Sequence, residues 1–153
     1  GDHVEVAGHS LGPELRNPWV NGQVSLVAKV PAVRRALVRQ QRLLGAEGNI
    51  VMLGRDIGSV VLPGADLKVF LSASPESRAD RRWMELLDQG QNVELEQVLE
   101  ETKARDNIDS HRADSPLTLA PDAFLLDTEE LGVESVVERI LEQIQKLSKS
   151  GEA

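Results

Sequence analysis

Three short apolar runs, at 49–53, 65–73 and 122–128, constrain this chain more than any other feature. Each has the length of a strand, and the stretches between them carry apolar residues at helical spacing. The run "ADLKVFLSA" leads straight into Ser74-Pro75-Glu76, a helix start with serine as N-cap and proline at the first helical position. Strands that alternate with helices predict an α/β fold built on a parallel sheet. "NIVMLGRD" reads as a buried strand of that sheet, stopped by Gly54, with Arg55 and Asp56 at its C-terminal rim.

The helical stretches can be placed by their periodicity. From Pro18 to about Leu44 the pattern is helical, with a break near Pro31. In its second half Val33, Ala36, Leu37, Leu43 and Leu44 form the apolar face. Arg34 stands at the edge of that face, while Arg35, Arg39 and Arg42 point the other way, into water. A helix from 75 to about 89 carries Arg78, Arg81 and Arg82 and stops at Gly90. Another begins near Glu94 and buries Leu95, Val98, Leu99 and Thr102. The last, from 133 to about 147, has a stripe of Val133, Val136, Val137, Ile140, Leu141, Ile144 and Leu147. The opening "HVEVAGHSLGPELR" alternates briefly and turns at Gly12-Pro13, and Trp19 and Trp83 read as packing residues.

Composition narrows the function classes. With 41% hydrophobic but only 3% aromatic residues, the core has to be aliphatic. The length of 153 residues suits one ordinary domain. A net charge of −8 argues against general nucleic-acid or anionic-membrane binding, which need a positive field. The absence of cysteine excludes disulfides, thiolate metal sites and cysteine nucleophiles, and fits a cytoplasmic location. No apolar run approaches the ~20 residues that span a bilayer, and no signal-like segment is visible. His3, His9 and His111 lack ligand spacing, so no protein metal site is expected. There is no G-x-S-x-G, and none of the five lysines follows a glycine, so these residues contain no P-loop.

Two charged clusters remain. In "RDNIDSHR", Arg105, Asp109 and Arg112 share a helix face at i, i+4 and i+7. That face continues the inward direction set by Leu95, Val98, Leu99 and Thr102, to within roughly 60–70°. It is either a solvated salt-bridge ladder or a ligand face. "GRDIGS" sets Arg55 and Asp56 at a strand's carboxyl end, where open α/β sheets hold ligands. Arginines beside aspartates point to a ligand that is anionic at one end and donates hydrogen bonds at the other. A nucleoside monophosphate fits that description.

In "PAVRRALVRQQR", "GRDIGSVVLPGADLKVFLSASPESRADRR", "ETKARDNIDSHRADSPL" and "PDAFLLDT", in this order and spacing, the chain resembles bacterial cytidylate kinases from about residue 3 to 147. The resemblance implies an α/β fold with the parallel sheet of a P-loop nucleoside monophosphate kinase, truncated at the N-terminus. Residues 1–46 would be the remainder of the nucleotide-binding insert and the helix after it. Residues 47–153 would be the core domain, with a lid at about 78–105. The implied activity is transfer of the ATP γ-phosphoryl group to CMP or dCMP, with Mg accompanying ATP, in a monomeric cytoplasmic transferase. By the same resemblance Ser25, Arg34 and Asp56 would read the cytosine, and Arg55 and Arg112 would hold the CMP phosphate. Arg105 and Asp109 would meet the ribose and the transferring group, with Arg105 and Arg112 catalytic. Arg78, Arg81 and Arg82 would lie where a lid closes on ATP. Leu62 and His111 stand where the family commonly has phenylalanine and asparagine. Without the P-loop segment the chain is expected to be weak or inactive alone and marginally stable. The strands at 49–53 and 65–73 would then pair with each other or leave their edges open. A kinase for UMP or AMP, or a non-catalytic nucleotide-binding or regulatory domain derived from such a kinase, are the alternatives.

Overall fold

The computed structural model describes residues 4–6, 8–12 and 18–150. Strands β1 (Val4–Val6) and β2 (His9–Leu11) form an antiparallel hairpin in which Val6 faces His9. The chain reverses at Gly8, whose φ of 80° lies in the left-handed region that glycine enters freely. The reversal therefore precedes the Gly12-Pro13 position expected from the sequence, and Pro13 lies outside the described residues.

Helices α1 (Pro18–Ala28) and α2 (Pro31–Gly45) follow, divided near Pro31 as the sequence predicts. Proline at the first position of α2 lacks only an N–H that no helix partner would use. The buried positions of α2 differ from expectation. They are Arg34 and Val38, whereas Leu37, Leu43 and Leu44 are exposed. Trp19, expected to pack, is also largely exposed, whereas Trp83 is half-buried and donates from Nε1 to the Val93 carbonyl at 2.9 Å.

Besides α1, α2 packs against a single π-helical turn, Ile57–Val61, which the sequence pattern did not signal. Its Val61 is the most buried large side chain among the described residues. Gly45 lies so close to Leu62 that a Cβ there would come within 2.5 Å of a leucine methyl, so a larger residue at the end of α2 would have to push the Leu62 side chain aside.

Strands β3 (Val69–Ser72) and β4 (Phe124–Asp127) pair in parallel, with Val69 opposite Phe124 and Ser72 opposite Asp127. Both fall within predicted runs. Between them the chain crosses over through α3 (Pro75–Asp88) and α4 (Leu95–His111), and helix α5 (Val133–Ser150) follows. Ser74 caps α3 as expected, accepting from the Ser77 N–H at 3.0 Å. The core sits between α3 and α4, where Ala79 and Leu86 meet Val98, flanked by Trp83, Val93 and Leu99.

The expected strand at 49–53 does not form. Val51 and Leu53 are 90% and 89% exposed, and residues 51–53 join neither sheet. A strand exists only through its ladder, and among the described residues β3 has β4 as its one neighbour. An apolar run with no edge to pair with stays irregular whatever its β propensity. The predicted stripe of α5 exists, yet Val133, Val137, Leu141, Ile144 and Leu147 on it are exposed. No described helix is long and apolar enough to cross a membrane.

A core this small makes each member matter. Leu86→Ala should lower stability by about 2–4 kcal/mol, read as a drop in the urea midpoint. The wild-type transition should also be shallower than usual for 153 residues, because so little apolar surface leaves water. A steep transition, or a midpoint indifferent to Leu86, would contradict this packing.

Candidate functional site

The C-terminal half of α4, the α2 side chain Arg34 and the Gly54–Asp56 bend converge on one charged cluster. Extending the inward stripe of α4 from Val98 and Thr102 brings Asp106, Asp109 and Arg112 onto the buried side. Arg112 is the C-cap residue, where the backbone leaves the helix in an extended conformation. The backbone at Asp56 is set by the π-turn, since its carbonyl accepts from the Val60 and Val61 N–H groups at 2.9 and 3.2 Å.

Arginines and aspartates alternate through the cluster. Arg34 Nη2 donates to Asp56 Oδ2. Arg112 Nη2 lies 3.5 Å from Asp56 Oδ1, and Arg112 Nη1 donates to Asp109 Oδ1 at 3.3 Å. Arg55 reaches Asp109 Oδ2 through Nε at 2.9 Å and donates through Nη1 to Asp106 Oδ1 at 2.8 Å. Arg78, from the first turns of α3, grips Asp106 with both terminal nitrogens at 2.6 and 3.1 Å. Arg105 stands at the margin, 3.9 Å from Asp109 and about half exposed.

Charge and burial define what such a site can hold. Asp56 and Asp109 are 3% exposed, Arg34 6% and Arg112 9%. Five arginines meet three aspartates here, an excess of two positive charges in a chain whose net charge is −8. Arg34 Nε and Arg112 Nη2 are buried donors without a hydrogen bond among the described residues. Burial is the main cause that lowers the guanidinium pKa of Arg34, Arg105 and Arg112; nearby arginines add to it and Asp109 opposes it. Burial pushes the Asp106 carboxyl up, but hydrogen bonds from Arg78 and Arg55 outweigh it and hold the group below its usual range. The excess suits a phosphate dianion, which arginine forks grip bidentately.

Comparison with known proteins follows the same lines. A family model described as "Cytidylate kinase" matches residues 2–146. The chain belongs to the cytidylate kinase family. Among its relatives is a cytidylate kinase of Caldanaerobacter subterraneus subsp. tengcongensis, 48% identical over 149 residues, which are 97% of this chain and 66% of that protein. A cytidylate kinase of Rhodococcus opacus is 46% identical over 99% of this chain and 67% of its own length. One of Desulfitobacterium hafniense is 49% identical over 88% of the chain and 58% of its own length. The chain thus spans about two thirds or less of the length of these curated relatives.

The residues singled out from the sequence fall as follows in this cytidylate kinase family member. Arg34, Arg55, Asp56, Asp109 and Arg112 come together, with Arg105 beside them. Ser25 lies on α1, and its side chain is outside the described residues. The three α3 arginines part company. Arg78 joins the cluster, while Arg81 donates to the Thr128 and Glu129 carbonyls and Arg82 pairs with Glu85 at 2.7 Å. Asp106 was missed, although it lies one helical step beyond Thr102 on the inward stripe. Among the described residues no three histidine or carboxylate side chains converge to hold a metal ion.

The depressed Asp106 pKa predicts an acid limb. Because the folded-state value lies below the unfolded one, protonation favours unfolding. The stability Asp106 lends is therefore fully present at neutral pH and is lost as pH falls through the carboxylate range. Urea midpoints measured between neutral and acid pH should fall, and Asp106→Asn should flatten that fall while lowering the neutral-pH midpoint.

Proposed function

We propose that this chain carries the acceptor half of a cytidylate kinase, an ATP-dependent transferase that phosphorylates CMP or dCMP. The observation that carries the reading is the buried Arg–Asp cluster with its excess of two positive charges. A nucleotide phosphate would compete with Asp109 and Asp106 for Arg55 and Arg112, exchanging one set of charged hydrogen bonds for another. Asp56 is the base reader in this reading. Its Oδ1 has only the loose 3.5 Å contact with Arg112, which leaves a lone pair for the exocyclic amine of cytosine. Uracil presents an acceptor at that position and would be repelled. Arg34, fixed on Asp56, orients the carboxylate, and Ser25 is assigned to the same base contact.

Arg105 and Arg112 are the catalytic candidates. Arg105 is the more exposed of the two and therefore the freer to meet a phosphoryl group in transfer. Such transfer rests on positioning and charge stabilisation, which guanidinium groups supply. ATP would arrive with its own Mg as substrate. Arg78, Arg81 and Arg82 are assigned to a lid at about 78–105, and closure would require at least Arg78 and Arg81 to leave their present partners. In this scheme residues 1–46 form part of the nucleotide-binding insert and the helix after it, and 47–153 the P-loop-kinase core. Because these 153 residues contain no P-loop, they are weak or inactive in phosphoryl transfer by themselves. The working form is a cytoplasmic monomer.

Calorimetric titration with CMP, dCMP, UMP, AMP and ATP tests the reading. CMP should bind saturably, with UMP and AMP at least roughly tenfold weaker. Asp56→Asn should erase the preference for cytosine, and Arg112→Gln should remove most of the affinity. Equal binding of UMP or AMP would replace cytosine reading with another specificity. No binding of any nucleotide would defeat the acceptor-site reading.

A further inference from the structure

Arg35, Arg39 and Arg42 occupy i, i+4 and i+7 of α2, on the side away from the cluster that holds Arg34. The sequence sends them into water, but the structure gives them a floor and an opposite wall. They line a cleft of about 510 Å³ whose floor is Val38 and Val60 and whose far lip is Asp114 and Ser115. Arg42 is fixed by donating to the Val60 and Val61 carbonyls at 2.7 and 3.1 Å. Arg35 reaches across the cleft to Asp114 at 2.8 Å. The Arg39 guanidinium, between them, makes no hydrogen bond or ion pair among the described residues.

The lip is unusual as well. Ser115 has a φ of 55°, left-handed backbone that a serine rarely adopts. It is held there because its carbonyl accepts from Arg112 Nε, a side chain of the nucleotide cluster. Strain kept in place by a neighbouring network is a feature of functional loops. Three guanidinium groups against one carboxylate make this cleft locally positive on an acidic chain, with a shallow apolar floor between the charges.

We propose that this cleft is a second anion site, distinct from the nucleotide cluster, which takes the phosphate chain of a small di- or triphosphate. Arg39 is the primary ligand and Arg35 the second, released from Asp114 when the anion arrives. Arg42 stays on the Val60 and Val61 carbonyls and adds its charge without direct contact. Inorganic pyrophosphate and the phosphate tail of a nucleotide share this chemistry.

The test reads Arg39 directly. The full chain is treated with phenylglyoxal, and modification of each arginine is followed by mass spectrometry with and without pyrophosphate. Arg39 should react at least about fivefold more slowly with pyrophosphate present, whereas Arg139, exposed on α5, should react at the same rate in both. Arg55→Gln should keep that protection, because Arg55 touches only the nucleotide cluster and no residue of the cleft. In calorimetry, Arg39→Gln should weaken pyrophosphate binding at this site roughly tenfold while CMP affinity is unchanged. Repeating the protection with ATP separates the sources: protection at lower concentration than pyrophosphate marks a nucleotide, and equal or weaker protection marks an inorganic phosphate chain. Arg39 reacting alike with and without pyrophosphate, or protection that vanishes in Arg55→Gln, overturns the proposal.

Discussion

Asp56 and Asp109 are carboxylates removed from water, and a buried charge is tolerable only when an opposite charge is held against it. Arg34 and Arg112, themselves buried, answer them, and neither aspartate is served by a single partner. This mutual requirement fixes the architecture around it. Arg34 comes from α2, Asp56 from the bend before the π-turn, and Asp109 and Arg112 from the end of α4. Those three segments must meet at one point, or charges remain buried without compensation at a cost of about 3–5 kcal/mol each. The aliphatic core between α3 and α4 is too small to dictate that meeting by itself. Arg78 ties the core to it, since its guanidinium clasps Asp106 on α4 from the first turns of α3.

The π-turn is what aims Asp56. Asp56 serves as acceptor for two successive N–H groups at the start of the turn, and Arg42 holds the carbonyls at its end. A turn with one extra residue changes which side chains face inward. Here Val61 is driven into the interior and Asp56 is left against Arg34. The sequence "DIGSVV" gives no period from which this could be read, because five residues are too few to show one.

That contrast explains what was legible in the sequence. The helices α3 and α4 could be read because a capping serine, a proline at the first turn and an apolar stripe are local signals. That β3 and β4 are strands of a parallel sheet could be read from strand-length runs flanking a helical crossover, but their pairing with each other could not, since 49–53 was the expected neighbour of 65–73. Residues 50–53 carry equally strong strand propensity, yet a strand needs a neighbour, and neighbours are not encoded locally. The face of α2 was misjudged for a related reason. Leucines at 43 and 44 look like the natural inner face, but the surface offered to α2 is the charged Asp56 with Val61, which selects Arg34 and Val38. In the site, Arg55, Asp56, Arg105, Asp109 and Arg112 were visible as pairs along the chain. Asp106 was passed over because its partners, Arg55 and Arg78, lie far away in sequence.

Helix α2 shows how little sequence separates two chemical environments. Consecutive residues point about 100° apart, so Arg34 can be buried against Asp56 while Arg35 crosses open space to Asp114. The two sides are not insulated from each other. Arg42 touches the cleft on one side and braces the turn that aims Asp56 on the other. Arg112 bridges the same gap at the opposite lip, bound to Asp109 within the cluster and to the Ser115 carbonyl at the cleft's edge. A ligand that moved either arginine would alter the geometry presented to the other side. Linkage makes that influence mutual: whatever a cleft ligand does to affinity in the cluster, a cluster ligand must do to affinity in the cleft.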